Sequence, residues 1–245
     1  MLKARERIDR LIPQQLDIIQ SPEYFTFSLD ALLLADFAKI NKRQKRIIDF
    51  CTGNGVVPLI LSQACSGQLY GVDIQPALAD MARRSVALNQ LEDRIKILAA
   101  DINDLPTYFD QQSFDIVTCN PPYFKVYPDS RLNPNQAKAI ARHEITMSLA
   151  DIFSQAQYLL KEKGKLYVVH RPERLTELLV AGQHHQLTLK RMRLVQAKVD
   201  QAANTVLLEF IKRGQDKGLV VEPTLISHLA NNDYSPEVRR IYYGD

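Results

Sequence analysis

From residue 47 onward, short apolar runs alternate with stretches of helical periodicity, and that alternation leaves the chain few architectures. Ile47-Ile48-Asp49-Phe50 reads as a buried strand, followed by a glycine-containing turn and a helix over residues 56 to about 64. Leu69-Tyr70-Gly71-Val72 predicts a second strand. Pro76 then sits in the first turn of a helix to about residue 89, where its missing N–H would be unpaired anyway. Ile95-Lys96-Ile97-Leu98 and Phe114-Asp115-Ile116-Val117-Thr118 predict a third and a fourth strand. Ser148-Leu149-Ala150-Asp151 has the form of a capping box with Asp in place of Glu, opening a helix to about residue 161. Residues 165–169 predict a fifth strand, and Pro172 opens the next helix.

Two longer strands follow, over residues 187–195 and 205–211, and the polar stretch between them permits an antiparallel pair at one edge of the sheet. Strands alternating with helices imply a parallel sheet covered on both faces, so the expected class is α/β with a seven-stranded mixed sheet. Residues 1–46 read as an extension packed on this core, with extended pieces over 16–19 and 24–27. Ser28 offers an N-cap for a helix from residue 29 to about 39. The expected organisation is therefore an extension (1–46), a catalytic domain (47–213) and a short tail (214–245).

Charge is balanced overall, with Lys+Arg 31 against Asp+Glu 28, but unevenly placed. Residues 47–124 hold four basic and nine acidic side chains, whereas 125–245 hold eighteen and thirteen. An acidic centre between basic flanks suits a small-molecule pocket bordered by surfaces that attract a polyanion, although scattered surface charge accounts for it equally well. No apolar run long enough to span a membrane and no secretory signal is present. Cys51, Cys65 and Cys119 show neither pairing logic nor metal spacing, so a cytoplasmic protein without a metal centre is expected.

Asp49-Phe50-Cys51-Thr52-Gly53-Asn54-Gly55 puts two glycines at the first strand-to-helix turn, where backbone can approach a ligand closely. It is not the Gly-x-Gly-x-x-Gly fingerprint, since position 58 is Pro. Asp73, at the end of the second strand, suits a carboxylate that accepts hydrogen bonds from both ribose hydroxyls of an adenosine cofactor. Asp101, beyond the third strand, is positioned for an adenine amino group. Singly, each of these is ordinary turn or cap chemistry. In order on alternating strands they point to an adenosine cofactor, with a nicotinamide enzyme as the competing reading.

This series resembles the nucleoside-binding half of class I S-adenosylmethionine-dependent methyltransferases, which are Rossmann-like. The resemblance implies that Asp49, Thr52, Gly53 and Gly55 surround the methionine end, Asp73 with Ile74 the ribose, and Asp101 with Ile102 the adenine.

Thr118-Cys119-Asn120-Pro121-Pro122-Tyr123-Phe124 follows at the end of the fourth strand. A conjugated amino group is a poor nucleophile because its lone pair is delocalised. The Asn120 side-chain oxygen and the Pro121 carbonyl could accept both its N–H bonds, orienting the lone pair and stabilising positive charge that develops on nitrogen. Tyr123 offers a flat face for a planar substrate, as enzymes acting on an extruded base require. In other surroundings Pro-Pro followed by two aromatics is simply a stiff turn. Here the stretch is similar to the motif of amino-group methyltransferases acting on adenine N6, guanine N2 or protein glutamine. Asn120, Pro121, Pro122 and Tyr123 are then the expected catalytic group, with Asn120 also touching the cofactor.

The whole chain resembles the family of tRNA adenine-N6 methyltransferases typified by the enzyme modifying a valine tRNA. Four stretches carry this: residues 25–34 (with Ser28 and Leu29 where some members carry glycine), the glycine turn, Asn-Pro-Pro-Tyr-Phe, and Ala141-Arg142-His143-Glu144. The resemblance implies that Phe27 and Asp30 close over the cofactor, with plain core packing of that stripe as the alternative. It also implies that Phe124 and Arg142 meet an RNA substrate, tRNA foremost, with a brace for the catalytic loop or a solvated helix face as the alternatives for Arg142. Residues 125–136 would form a loop helping to seat it. Lys190, Arg191 and Arg193, with Lys161, Lys163 and Lys165, are expected either to bind phosphates or to serve solubility. A ribosomal RNA or protein glutamine substrate, and a non-catalytic RNA-binding protein, remain as rivals.

Overall fold

The computed structural model describes residues 2–24, 26–123 and 147–245. Its chain begins with a hairpin, β1 (Arg7–Leu11) and β2 (Leu16–Gln20), and a helix α1 (Leu29–Phe37). The next elements are β3 (Arg46–Phe50), α2 (Val56–Leu61), β4 (Gln68–Asp73), α3 (Pro76–Leu88), β5 (Ile95–Ala99) and β6 (Phe114–Cys119). After the undescribed stretch come α4 (Leu149–Leu159), β7 (Leu160–His170), α5 (Leu175–His184), β8 (Leu187–Gln196) and β9 (Ala203–Lys212). Two short strands, β10 (Val220–Val221) and β11 (Leu225–Ile226), precede helix α6 (Pro236–Tyr243).

Seven long strands run in the order β5-β4-β3-β6-β7-β9-β8. All neighbouring pairs from β5 to β7 are parallel, and β9 is antiparallel to both β7 and β8. The expected antiparallel pair is thus present, with the reversed strand one position in from the edge. Residues 214–245 do not trail away from the sheet. β10 and β11 extend it by pairing parallel with β8, making nine strands among the described residues.

Alternation along the strands divides the apolar side chains between two cores. Ile47, Ile116, Tyr167, Val169 and Leu207 face α1, α2, α3 and α6. Ile48, Phe50, Val117, Leu166, Val168 and Leu208 face α4 and α5. This period of two on strands buried on both faces is what a covered parallel sheet requires. Among the described residues no helix is long and apolar enough to cross a membrane.

Differences from the sequence expectation are local. The charged run Arg7–Leu11 is a strand because its outward side chains form ion pairs, Arg7 with Asp9 and Arg10 with Asp17. No described residue of 24–27 belongs to a strand. Helix α2 stops at Leu61, and the next hydroxyl, Ser62 Oγ, donates to the Leu59 carbonyl (2.7 Å), competing with the helical ladder. The capping box at Ser148 forms, with Ser148 Oγ accepting from the Asp151 N–H at 3.2 Å; such caps contribute about 1 kcal/mol.

Candidate active site

β3 pairs with β4 on one side and β6 on the other, so the chain order reverses at its carboxyl end and leaves a crevice there. Asp49 lies beside that end, buried, and accepts a hydrogen bond from Thr118 Oγ1 (2.6 Å), its register partner on β6. Burial pushes its carboxyl up to about 7 against the lowering effect of the threonine hydroxyls. The turn then coils through three left-handed residues, Cys51 (φ +55°), Gly53 (φ +57°) and Gly55 (φ +87°). The space where a side chain on Gly53 would begin is open for 4 Å. At Gly55 a Cβ would meet Ala82 Cβ at 3.1 Å, so this glycine serves helix packing as well as conformation.

Asp73 ties the turn to β4. Its Oδ2 accepts the Gly53 N–H at 2.8 Å and its Oδ1 the Gln75 N–H at 2.9 Å. The hairpin reaches the same turn, since Asn54 Nδ2 donates to the Ile19 carbonyl at 3.2 Å. The adjoining cleft, open to solvent, is lined by Cys51, Asp73, Ile74, Asp101, Ile102 and Met147 among others. Ile74 keeps 38 % of its surface exposed and forms an apolar wall. Asp101 does double duty, capping the 3-10 turn 102–107 by accepting the Asn103 N–H (2.9 Å) while lining the cleft. Open space before Gly53, apolar walls and carboxylates at the rim fit a nucleoside carrying a polar tail. Phe27 and Asp30 are not among the cleft's lining residues.

Next to this cleft, Asn120 leaves the carboxyl end of β6. Its Oδ1 accepts a hydrogen bond from the Tyr123 hydroxyl at 2.7 Å. The Tyr123 ring lies 5.2 Å from the His170 ring, and the Arg171 guanidinium carbon stands 4.8 Å from its centroid. Arg171 Nη1 donates to the Asn204 carbonyl (2.8 Å) and to Thr205 Oγ1 (3.4 Å), and Thr205 Oγ1 donates to Asp30 Oδ1 (3.3 Å). Burial, then the Asp30 charge, push the Tyr123 phenol well above its ordinary range. Burial and the charges of Arg174 and Arg171 push His170 down to about 4. Asp30 therefore stands with Tyr123, while Phe27 packs against the core beneath α1.

Sequence reasoning missed His170, Arg171, Thr205 and Met147. The first two sit at and just beyond the end of β7, the strand beside the Asn-Pro-Pro-Tyr strand, and that adjacency could have flagged them. Thr205 meets Asp30 across 175 positions, a pairing without a local signal.

The basic residues expected either to bind phosphates or to serve solubility are engaged within the chain. Arg191 is buried on Glu209 (2.9 Å) and Glu222 (2.9 Å), and Arg193 holds both Glu237 oxygens at 2.6 and 2.8 Å. Lys161 pairs with Asp115 (2.6 Å) and Lys165 with Glu209 (2.8 Å), while Lys163 and Lys190 donate to backbone carbonyls. These cations hold strands and the C-terminal segment together. Phe124, Arg142, the 125–136 loop and the 141–144 stretch lie outside the described residues.

A family profile described as a methyltransferase domain matches residues 41–217. The tRNA1(Val) (adenine(37)-N6)-methyltransferase of Porphyromonas gingivalis strain W83 is 30 % identical over 237 residues, covering 93 % of this chain and 91 % of the relative. The protein of the same name from Phocaeicola vulgatus is 27 % identical, covering 87 % and 88 %. Among solved structures, a predicted O-methyltransferase from Agrobacterium tumefaciens superposes with TM-score 0.70 at 21 % identity, covering 88 % of this chain and 96 % of that one. The geranyl diphosphate C-methyltransferase of Streptomyces coelicolor, solved with S-adenosyl-L-homocysteine, shares the fold at TM-score 0.56 and 14 % identity, covering 74 % and 76 %. The architecture, the glycine turn with its carboxylates and the family match agree: the chain belongs to the methyltransferase-domain family and is an S-adenosylmethionine-dependent N-methyltransferase.

Proposed function

We propose that the enzyme methylates the exocyclic N6 amino group of adenine in tRNA. The observation that carries this reading is the acceptor at the end of β6: Asn120 Oδ1 already takes a hydrogen bond from a phenol at 2.7 Å, next to the cofactor cleft. A group aligned to accept O–H is equally aligned to accept N–H. The names of the relatives, which span most of the chain, support adenine and tRNA as its target.

Bound S-adenosylmethionine would supply an electrophilic methyl group, the N–C bond forming as its sulfonium S–C bond breaks and the methylated nitrogen then losing one proton to solvent. Asp49, Thr52, Gly53 and Gly55 would hold its methionine end, Asp73 and Ile74 the ribose, and Asp101 and Ile102 the adenine. Asn120 Oδ1 and the Pro121 carbonyl accept the two N–H bonds of the target, directing the nitrogen lone pair at the methyl group. Their partial negative charges stabilise the positive charge that grows on nitrogen, the type of electrostatic help that counts most in a water-poor site. Pro122 stiffens the turn, and Tyr123 stacks against the extruded base, for which its hydroxyl must leave Asn120. Phe124 and Arg142 complete the group assigned to substrate, and Phe27 packs against the core instead.

The test is transfer of labelled methyl to total tRNA from a strain lacking this gene, followed by nucleoside mass spectrometry. N6-methyladenosine formed by the wild type and not by Asn120→Ala is expected. Label confined to ribosomal RNA or protein overturns the substrate; cofactor binding without any transfer overturns the activity.

A further inference from the structure

Arg171 is held differently from every cation among those basic residues that has a carboxylate partner. Its guanidinium bonds only neutral acceptors, the Asn204 carbonyl and the Thr205 hydroxyl, and no carboxylate lies within ion-pair distance of it among the described residues. A planar cation so bonded, at the carboxyl end of β7 and lying over an aromatic ring, occupies ground that a planar base would occupy. Its backbone is a fixed pivot: Arg171 precedes Pro172, which disfavours helical geometry there, and its N–H donates to His170 Nδ1 at 2.7 Å.

We propose that Arg171 is a placeholder for the substrate: in the free enzyme its guanidinium covers the Tyr123 ring, and on RNA binding it yields that ring to the target base and pairs with a phosphate. The inference rests on the reading of an RNA substrate and extends it to a residue that positions the base rather than reacting with it. Both halves of the exchange run downhill. A base stacks on an aromatic ring more strongly than a partly exposed guanidinium does, and a guanidinium binds a phosphate more strongly than a carbonyl and a hydroxyl. The release is coupled to chemistry. Tyr123 also occupies Asn120 Oδ1, so the movement that uncovers the ring accompanies the movement that frees the acceptor.

The experiment compares wild type, Arg171→Ala and Arg171→Lys by cofactor affinity, KM for tRNA, kcat, and the salt dependence of tRNA binding. Arg171→Ala is expected to keep cofactor affinity within about twofold, raise KM for tRNA by about tenfold, and lower the salt slope by about one phosphate. Arg171→Lys, which can still meet a phosphate, is expected to restore the slope. Wild type active on tRNA, with Arg171→Ala matching its slope and KM, overturns this inference alone. A fall in kcat with KM and slope unchanged also overturns it, because the residue would then brace Asn120 only. Wild type that binds and methylates no RNA overturns the substrate reading and this inference together.

Discussion

The turns after β3 and β4 and the turns after β6 and β7 hold their functional groups by different means. On the cofactor side, Asp73 is fixed by the N–H groups of Gly53 and Gln75, and Asp101 by that of Asn103. These are backbone donors near the ends of adjacent strands, and they stay in place whatever ligand arrives. On the substrate side, Asn120, Tyr123, Arg171, Thr205 and Asp30 are linked through side chains, each able to rotate away. One half is a socket and the other a set of exchangeable partners. That division suits an enzyme whose small cofactor is always the same shape while the proposed RNA substrate must be admitted and released.

Four expectations would break or sharpen this contrast. The largest concerns Asn120→Ala, which should lower kcat by at least about 10²-fold while cofactor affinity stays within about twofold, read by single-turnover methylation and a binding titration. An equal loss of both would mean that the two halves are one unit. Asp73→Ala should act in the opposite sense, weakening cofactor binding by about 10- to 100-fold and lowering Tm, because two backbone N–H groups lose a charged acceptor as well. Unchanged cofactor affinity would remove Asp73 from the socket.

Gly55→Ala tests conformation without chemistry. A left-handed alanine costs about 1–2 kcal/mol before its 3.1 Å contact with Ala82 is counted, so Tm should fall by about 2–8 °C in a thermal melt. An unchanged Tm would mean that the turn relaxes freely.

The gentlest probe is pH, and the two halves should answer with opposite signs. Asp49, raised from 3.8 to about 7, contributes stability below its unfolded value that is lost as pH rises toward 7. His170, lowered from 6.5 to about 4, contributes stability above 6.5 that is lost as pH falls toward 4. Melts of Asp49→Asn and His170→Gln should each flatten one limb of the stability profile, and a variant that flattens neither would remove its residue from this account.

The same contrast explains what could be read from the residues alone. The glycine turn, Asp73 and Asp101 were legible because their partners are backbone groups in adjoining turns, so spacing along a strand–turn–helix repeat is nearly sufficient. The Asn-Pro-Pro-Tyr stretch was legible as chemistry, whereas the bond from the Tyr123 hydroxyl to Asn120 was not, since it depends on a rotamer. Arg171 was overlooked although it follows the strand beside the Asn-Pro-Pro-Tyr strand, whereas Thr205 was illegible because it reaches Asp30 only through the strand order β6-β7-β9, in which β9 runs backward. Lys190, Arg191 and Arg193 misled for a related reason. Alternation along a strand looks like a basic face until the segment after β9 returns, giving Lys190 the Gln215 carbonyl, Arg191 Glu222 and Arg193 Pro223 and Glu237 as partners.

Helix α1 has a consequence for synthesis. Its Asp30 waits for Thr205, the carbonyl of Phe37 for Arg191, and Asp36 for Arg240, contacts spanning 175, 154 and 204 positions. The bonds from Asp73 to Gly53 and Gln75 and from Asp101 to Asn103 close within 20 positions, whereas Asp49 still waits for Thr118. As the chain leaves the ribosome, the short-range carboxylate bonds of the cofactor side have their partners early, whereas α1, which carries Asp30, gains its last partner only when the final helix emerges. The short-range bonds of the methyl-donor side can thus form during synthesis before α1 and its Asp30 are locked in place.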